Sequence, residues 1–151
     1  MYIPGDEVFK EPVWTVDQSV SLRATPAEVW PWLAQMGDGR AGWYSYDWID
    51  NWGKKSFETI DRQLQDLSVG QKISIFKLTD FKEPEYLTLT FSENANMTWF
   101  LKNLEEGCEL ITRLRVRGPK WLLSCTLGPG HFIMQRKQFI EIKKRVEKNP
   151  S

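Results

Sequence analysis

The sequence contains few of the residues from which most catalytic and metal sites are built. Its 151 residues include one histidine, His131, and two isolated cysteines, Cys108 and Cys125. This count excludes zinc sites with several histidine or cysteine ligands, and no glycine-rich phosphate or dinucleotide motif occurs. Any Ser–His or Cys–His nucleophile pair would depend on His131, which follows a helix-breaking Gly-Pro-Gly. We therefore expect no metal and no cofactor, and we expect His131 to begin or cap a helix.

The chain also has no excess of either charge, with 20 basic and 20 acidic residues. Proteins that bind nucleic acid or anionic membranes usually carry a basic excess, so neither partner is expected. No apolar run reaches the roughly 18 residues that span a bilayer, and the first residues lack the pattern of a signal peptide. We expect a cytoplasmic protein without integral membrane segments, whose cysteines stay reduced. The sequence leaves the oligomeric state open.

Tryptophan, in contrast, is abundant, with 8 residues in the chain. Residues 36–53 carry three tryptophans and two tyrosines behind a glycine-rich lead. Glycine lets the backbone turn without a clash at Cβ, and tyrosine and tryptophan bring apolar area with a polar tip. This combination suits the wall of a pocket for an apolar ligand. The alternative is an aromatic wedge packed in the core under a loop.

The length predicts a single domain over residues 1–151. Residues 1–12 contain two prolines and a glycine, which predict an extended leader. Between Trp14 and Leu22, apolar and polar residues alternate, and only Gln18 interrupts the apolar side. This alternation predicts a half-buried strand.

A short helix is predicted after the first strand. Thr25 and Glu28 have the spacing of a capping box, and Pro26 suits the first helical position. Pro31 inside the helix removes a backbone donor and predicts a kink or an early end. A second short helix is expected over residues 45–51, capped by its serine and ended by the following glycine.

The middle of the chain predicts strands separated by turns. Residues 54–70 are polar and irregular, which predicts a short strand or a flap. We expect a strand over residues 71–77, a turn region over 80–85 and another strand over 86–91.

Residues 97–104 and 108–116 predict a hairpin whose register follows from its two faces. A loop of two or four residues places Trp99 opposite Leu114 and sorts the apolar side chains onto one face. That inner face carries Met97, Trp99, Leu101, Leu110, Leu114 and Val116.

The other face of the hairpin is polar. We expect Phe100 to point outward near Arg113, in reach of a cation–π contact. Arg113, Arg115 and Arg117 are expected to form a solvated outer stripe, because polar residues normally fill that side of an antiparallel sheet.

A long helix is predicted over residues 130–147, with an apolar arc that includes Phe132. Arg136 and Lys143 fall near the middle of that arc, where an unpaired charge is costly. Either both side chains extend to solvent, or Arg136 pairs with a core carboxylate such as Asp47. The other interpretation is that Arg136 projects into a cavity and contacts a polar group of a ligand.

The residues expected to line a ligand pocket are Trp30, Trp43, Tyr44, Asp47, Trp48, Trp99, Phe132 and Arg136. The candidate acid–base groups are Tyr44, Tyr46, Asp47, Asp50 and Glu58. Two carboxylates on one helix face would divide acid and base roles. The alternative is that they complement the positive end of a helix.

Four blocks, residues 24–33, 35–37, 39–48 and 131–137, resemble a subgroup of the SRPBCC superfamily (START-like, polyketide cyclase/dehydrase and lipid transport). The resemblance extends over about residues 18–147. It implies an α+β helix-grip fold, in which a curved antiparallel sheet wraps a long C-terminal helix, with two short helices after the first strand and an internal cavity. The superfamily includes carriers, receptors and cyclases, so the resemblance implies a fold more firmly than a function. It implies no set of catalytic residues.

Three functions follow from these observations. The first is binding of a small apolar or amphipathic molecule, lipid-like or polyketide-like, in a carrier or sensor role. The second is a cyclase, dehydratase or isomerase acting on a polyketide-like or steroid-like substrate, which requires two titratable side chains to converge on one substrate atom. The third is a protein-interaction module that exposes its apolar residues as a surface.

Overall fold

The computed structural model describes residues 1–7, 13–46, 52–91, 93–118 and 129–148. Within these ranges, six antiparallel strands form one curved sheet in the order β1-β6-β5-β4-β3-β2. The predicted α+β helix-grip architecture is confirmed. The strands are β1 Val13–Leu22, β2 Lys72–Ile73, β3 Phe76–Lys82, β4 Tyr86–Phe91, β5 Ala95–Asn103 and β6 Cys108–Arg117; the helices are α1 Pro26–Ala34 and α2 Pro129–Lys148.

The capping box at the start of α1 is confirmed. The Thr25 hydroxyl accepts from the Glu28 backbone N–H at 3.3 Å, and the Glu28 carboxylate accepts from the Thr25 N–H at 2.7 Å. Pro31 lies inside this helix, which is short at 9 residues. Two backbone donors are therefore satisfied where the chain leaves the sheet and enters the core.

The second predicted helix lies mostly outside the described residues, which resume after residues 47–51. Ser45 and Tyr46 are described and are not helical. The Ser45 hydroxyl donates to the backbone oxygen of Met134 at 3.0 Å. Ser45 thus connects this segment to α2 in the described structure.

The prediction of one strand over residues 71–77 is wrong. The chain turns at Ser74 and Ile75, so that β2 and β3 form a hairpin with a two-residue loop. Ser74 has a φ of 59°, and Ile75 is 65% exposed at the tip. Only the first residue of the loop needs a positive φ, as in a type II′ turn. β3 then continues to Lys82, which shortens the turn expected over residues 80–85.

The faces of the β5–β6 hairpin are confirmed, but the register differs by two residues. A four-residue loop, residues 104–107, places Trp99 opposite Thr112 instead of Leu114. Trp99 is 3% exposed on the inner face, as predicted. Phe100 lies outside opposite Ile111, not beside Arg113. Parity is preserved because a shift of two residues leaves each side chain on its face.

The expected solvated stripe on the outer face is wrong for Arg113. Its side chain is 11% exposed and forms ion pairs with Asp6 and Asp17, each at 2.7 Å. Arg115 also contacts Asp6, through the carboxylate at 3.8 Å and through the backbone oxygen. These arginines therefore hold the N-terminal segment on the sheet.

Residues 1–7, the first part of the expected leader, pack across this outer face. Residues 4–7 form a turn, and Ile3 is completely buried. Asn96 donates to the Gly5 oxygen and Thr98 to the Pro4 oxygen, both at 2.9 Å. A Cβ at Gly5, where φ is 99°, would lie 2.7 Å from the Thr98 hydroxyl oxygen. Glycine therefore allows the segment to lie directly on the sheet.

The last helix extends as predicted, but a different side of it faces the sheet. Its buried residues are Gln135, Gln138, Phe139, Ile142, Arg145 and Val146. Phe132, Ile133 and Ile140 are at least half exposed, at 55%, 51% and 50%. The expected arc centred near Arg136 and Lys143 is therefore wrong by about a quarter of a turn. Arg136 is exposed.

The charge buried under α2 belongs to Arg145, which is 4% exposed. Its guanidinium donates to the Phe57 oxygen at 2.7 Å, to the Glu141 carboxylate at 2.8 Å and to the Glu58 carboxylate at 3.2 Å. It also lies 4.9 Å from the centre of the Tyr44 ring. These partners make the burial of an arginine tolerable, since a buried charge is stable only when paired and hydrogen-bonded.

The Arg113 ion pairs generate a stability prediction. We expect Arg113→Ala to lower the free energy of unfolding by about 2–4 kcal/mol, because Asp6 loses its closest cation in a partly buried site. Arg117→Ala, at an exposed position of the same strand, should change it by less than about 0.5 kcal/mol. Urea unfolding of both variants checks this, and equal losses would contradict the proposed anchoring.

Glu141 generates a pH prediction. Burial alone would raise the pKa of its carboxyl, but hydrogen bonds from Lys137 and Arg145 outweigh burial and lower the pKa from 4.5 to about 2. The stabilisation is therefore complete above pH 4.5 and is lost as the pH falls toward 2. We expect Glu141→Gln to lower the free energy of unfolding by on the order of 2 kcal/mol at pH 7. The variant should also lose less stability than the wild type as the pH falls below 4.5, a part of the pH profile called the acid limb here.

Urea unfolding at a series of pH values tests the Glu141 prediction. The exposed Glu105→Gln is the matched control and should leave both the stability and its acid limb unchanged. An unaltered acid limb in Glu141→Gln would show that other carboxyl groups cause the loss of stability.

Candidate functional site

A pocket of about 190 Å³ opens between the inner face of the sheet and the first turns of α2. It has room for a small guest, although pockets that enclose drug-sized ligands usually measure about 300–1,000 Å³. Aromatic and sulfur-containing side chains form most of its wall, and the polar groups come mainly from α2. The lining residues are Trp43, Ser45, Phe76, Met97, Trp99, His131, Met134, Gln135 and Gln138.

Three aromatic rings form the apolar wall. Trp43 is stacked on Trp99, with ring centroids 6.5 Å apart and an angle of 20° between the planes. Phe76 meets Trp43 edge to face, with centroids 5.5 Å apart. Such pairs contribute about 0.5–1.5 kcal/mol beyond the area they bury. The wall is therefore ordered, and it offers broad ring surfaces to a flat ligand.

The glycine-rich loop after α1 positions Trp43. Gly37 and Gly42 pair as an isolated antiparallel bridge, with φ values of 129° and 86° that favour glycine. The Arg40 guanidinium donates to the Leu64 oxygen at 2.8 Å and to two backbone oxygens at the end of α1. The loop thus closes the end of the helix and directs the next residue, Trp43, to the pocket.

The amide of Gln138 connects the two tryptophans. Its oxygen accepts from Trp99 Nε1 at 3.1 Å and from Gln135 Nε2 at 2.8 Å. Its nitrogen donates to the Trp43 backbone oxygen at 2.8 Å. Since Gln138 is only 5% exposed, a polar contact in the interior fixes α2 against both sides of the pocket.

Other polar groups of the lining retain capacity for hydrogen bonds. Within the described part of the chain, nothing donates to Gln135 Oε1, and the His131 ring has no hydrogen-bond partner. Ser45 uses its proton on Met134 and keeps its lone pairs. A ligand would therefore meet apolar rings on one side and donors and acceptors on the other.

His131 is the one described lining residue that titrates near neutral pH. Burial lowers the pKa of its imidazole, so the ring is neutral at pH 7 and offers one donor and one acceptor. Burial also raises the pKa of the Cys108 thiol to about 11, which makes it a poor nucleophile. Among the described residues, no group of three metal-ligating side chains comes together.

No protein-family model and no curated protein matches the chain, but several solved structures do. A Mesorhizobium loti protein aligns over 91% of this chain and 100% of its own, with 14% identity and a TM-score of 0.60. An AHSA1-like protein from Rhizobium etli aligns over 89% of this chain and 82% of its own, with 12% identity and a TM-score of 0.54. The KanY protein aligns over 91% of this chain and 99% of its own, with 14% identity and a TM-score of 0.55.

The chain shares the α+β helix-grip fold of these solved structures. At these identities the likeness concerns the fold alone, so the function of this chain has to be argued from its pocket. Within the described ranges, no helix has both the length and the apolar composition that crossing a membrane requires.

In this fold, two of the predicted ligand-binding residues, Trp43 and Trp99, come together in the pocket. Trp30 lies in the core, 2% exposed and stacked on a phenylalanine of β3. Tyr44 is completely buried, and its hydroxyl donates to the Trp32 oxygen at 2.9 Å. Both therefore belong to the core and do not line the pocket.

The other predicted site residues are not brought to the pocket by the described structure. Phe132 and Arg136 lie on the exposed side of α2. Asp47, Trp48 and Asp50 lie outside the described residues.

Sequence reasoning missed the polar side of the pocket. His131, expected to begin or cap the helix, is the third residue of α2 and lines the pocket. With Gln135 and Gln138 it follows the i, i+4, i+7 spacing of one helix face. This stripe of polar residues, opposite the more apolar side of the helix, is the sequence signal that could have identified the polar side of the pocket.

The Gln138 contacts generate the next prediction. We expect Gln138→Leu to lower the free energy of unfolding by about 1–3 kcal/mol, because the Trp99 N–H and the Trp43 oxygen lose their partner in the interior. Its tryptophan emission should change as the ring pair loosens. Gln63→Leu, at an exposed position, is the control. Wild-type stability and emission in Gln138→Leu would contradict the assigned role.

Proposed function

We propose that this protein binds a small, flat, largely apolar molecule in the pocket beside α2, in a carrier or sensor role. The observation that supports this most directly is the wall of Trp43, Trp99 and Phe76, held in place by Gln138. Pockets of this kind bind by apolar contact and use a few placed polar groups for orientation. A lipid-like or polyketide-like compound fits this description.

The lining favours a neutral ligand. Among its described residues there is no aspartate, glutamate, lysine or arginine. A charged ligand would lose its hydration without gaining a counter-ion, which is costly. The volume of about 190 Å³ suits a compound of one or two rings in the conformation described.

The enzymatic alternative has less support. A cyclase, dehydratase or isomerase needs two proton-transferring groups near one substrate atom, and His131 is the only such group among the described lining residues. Burial raises the pKa of the Tyr44 hydroxyl and keeps that group in the core. Arg136 is exposed away from the lining.

A protein-interaction role is the second candidate, because Phe132, Ile133 and Ile140 expose apolar side chains on one side of α2. Trp52 is also exposed, at 85%. Exposed apolar residues mark interfaces when they form a contiguous patch. Ligand binding is favoured because the ordered aromatic wall borders an open pocket.

The neutral two-ring fluorescent probe 2-naphthol tests the proposal. We expect the wild-type protein to bind it with a micromolar dissociation constant, and we expect Trp43→Ala to weaken binding about tenfold, since the stacked ring is lost. Trp52→Ala removes an exposed indole and is the matched control. Probe emission and quenching of tryptophan fluorescence give independent readings.

The outcomes of the probe experiment separate the candidate functions. Binding that depends on Trp43 and not on Trp52 supports the pocket. Absence of binding by the folded wild-type protein, or binding equally strong in both variants, would overturn the proposal. Native mass spectrometry of the freshly purified protein adds a direct search for a retained small molecule.

A further inference from the structure

Gln18 lies on the inner face of β1, the side on which the sequence is otherwise apolar. It faces Thr112 on β6, and Thr112 faces Trp99 on β5. Directly opposed residues in an antiparallel sheet point to the same side, so the three side chains form a row on the inner face of the sheet. Neighbouring strands lie about 4.8 Å apart, which places Gln18 about 10 Å from Trp99 along this row.

The amide of Gln18 has no hydrogen-bond partner among the residues that the structure describes. Both Nε2 and Oε1 are buried, and neither has a hydrogen bond within the described residues. Buried polar groups in folded proteins are nearly always paired, because an unmade hydrogen bond in the interior is costly. An amide with both ends unpaired therefore indicates a site for a group that the described part of the chain does not supply.

The inner face of β1 is incompletely covered around Gln18. α2 reaches β1 near its end, where Lys143 donates to the Ser21 oxygen at 3.4 Å. Val16 and Val20, on either side of Gln18 on this face, remain only half-buried. Val16 and Val20 are therefore less fully covered than the core residues of the neighbouring strands.

We infer that the ligand site continues from the aromatic pocket along this row, and that Gln18 pairs with a polar group at the inner end of the ligand. This inference rests on the proposed function and specifies the ligand class. The ligand is neutral and elongated, about 10 Å from its aromatic part to a terminal hydroxyl, carbonyl or amide. Gln18 can donate to or accept from each of these groups.

A matched pair of probes tests the inference. 4-Phenylphenol and 4-methylbiphenyl have nearly the same shape and differ in one terminal hydroxyl. We expect wild-type protein to bind 4-phenylphenol about tenfold more tightly than 4-methylbiphenyl, and we expect Gln18→Leu to abolish that preference. Quenching of tryptophan fluorescence measures both affinities. Gln63→Leu, the same change at an exposed site, should retain the preference.

The stability of Gln18→Leu without ligand provides a second measurement. We expect its thermal midpoint to equal or exceed that of the wild type, because an unpaired amide is replaced by an apolar group of similar size. A lowered midpoint would show that the amide has a partner within the protein, and it would overturn the inference.

The probe outcomes separate this inference from the proposed function. If wild-type protein binds both biphenyls equally, or if Gln18→Leu keeps the preference, then Gln18 does not form a hydrogen bond with the ligand and the inference is wrong. The proposed function would stand in that case, because the pocket still binds the probes. If neither biphenyl nor 2-naphthol binds, the proposed function fails and this inference with it. If the Gln18 amide pairs only with ordered water in a crystal structure with bound 4-phenylphenol, the inference is also wrong.

Discussion

A single buried amide connects the last helix to the sheet at the point where the pocket opens. Gln138 holds the indole of Trp99 and the backbone of Trp43 at the same time. A hydrogen bond constrains both distance and direction, whereas apolar packing constrains mainly volume. The two tryptophans can therefore stand beside an open space without collapsing into it, provided that this amide stays in place.

The same interaction explains which side of α2 is buried. Apolar periodicity places Phe132, Ile133 and Ile140 toward the core, yet all three are at least half exposed. The helix instead buries Gln138, together with Arg145, whose polar partners come from distant parts of the chain. Periodicity assumes that burial follows hydrophobicity, and it fails where polar residues find partners that a local pattern cannot show.

Local signals identified much of the fold. The capping box at Thr25, the alternation after Trp14 and the parity of the β5–β6 hairpin all depend on residues close in sequence. The exact register of that hairpin and the turn at Ser74 were missed. Neither carries a strong turn motif such as Asn-Gly, so side-chain parity alone could not fix the loop length or reveal the turn.

The site was only partly predictable for the same reason. Trp43 and Trp99 were found because tryptophan has few roles other than packing and binding. Trp30 and Tyr44 share that chemistry, and only the tertiary structure separates rings that line the pocket from rings buried elsewhere in the core. His131 and Gln135 were missed because their importance depends on what the first turns of α2 face.

Polar side chains on the two faces of the sheet differ in whether they have hydrogen-bond partners, and this difference bears on ligand binding. On the outer face, Asn96, Thr98 and Arg113 all find partners in residues 1–7. On the inner face, the Gln18 amide finds none within the described chain. The carboxylate oxygen Asp6 Oδ1 on the outer face also lacks a hydrogen bond, but it lies 3.8 Å from Nε of Arg115, which supplies a counter-charge. A neutral amide gains little from a nearby charge, so a missing ligand explains the unpaired Gln18 amide better than loose packing does.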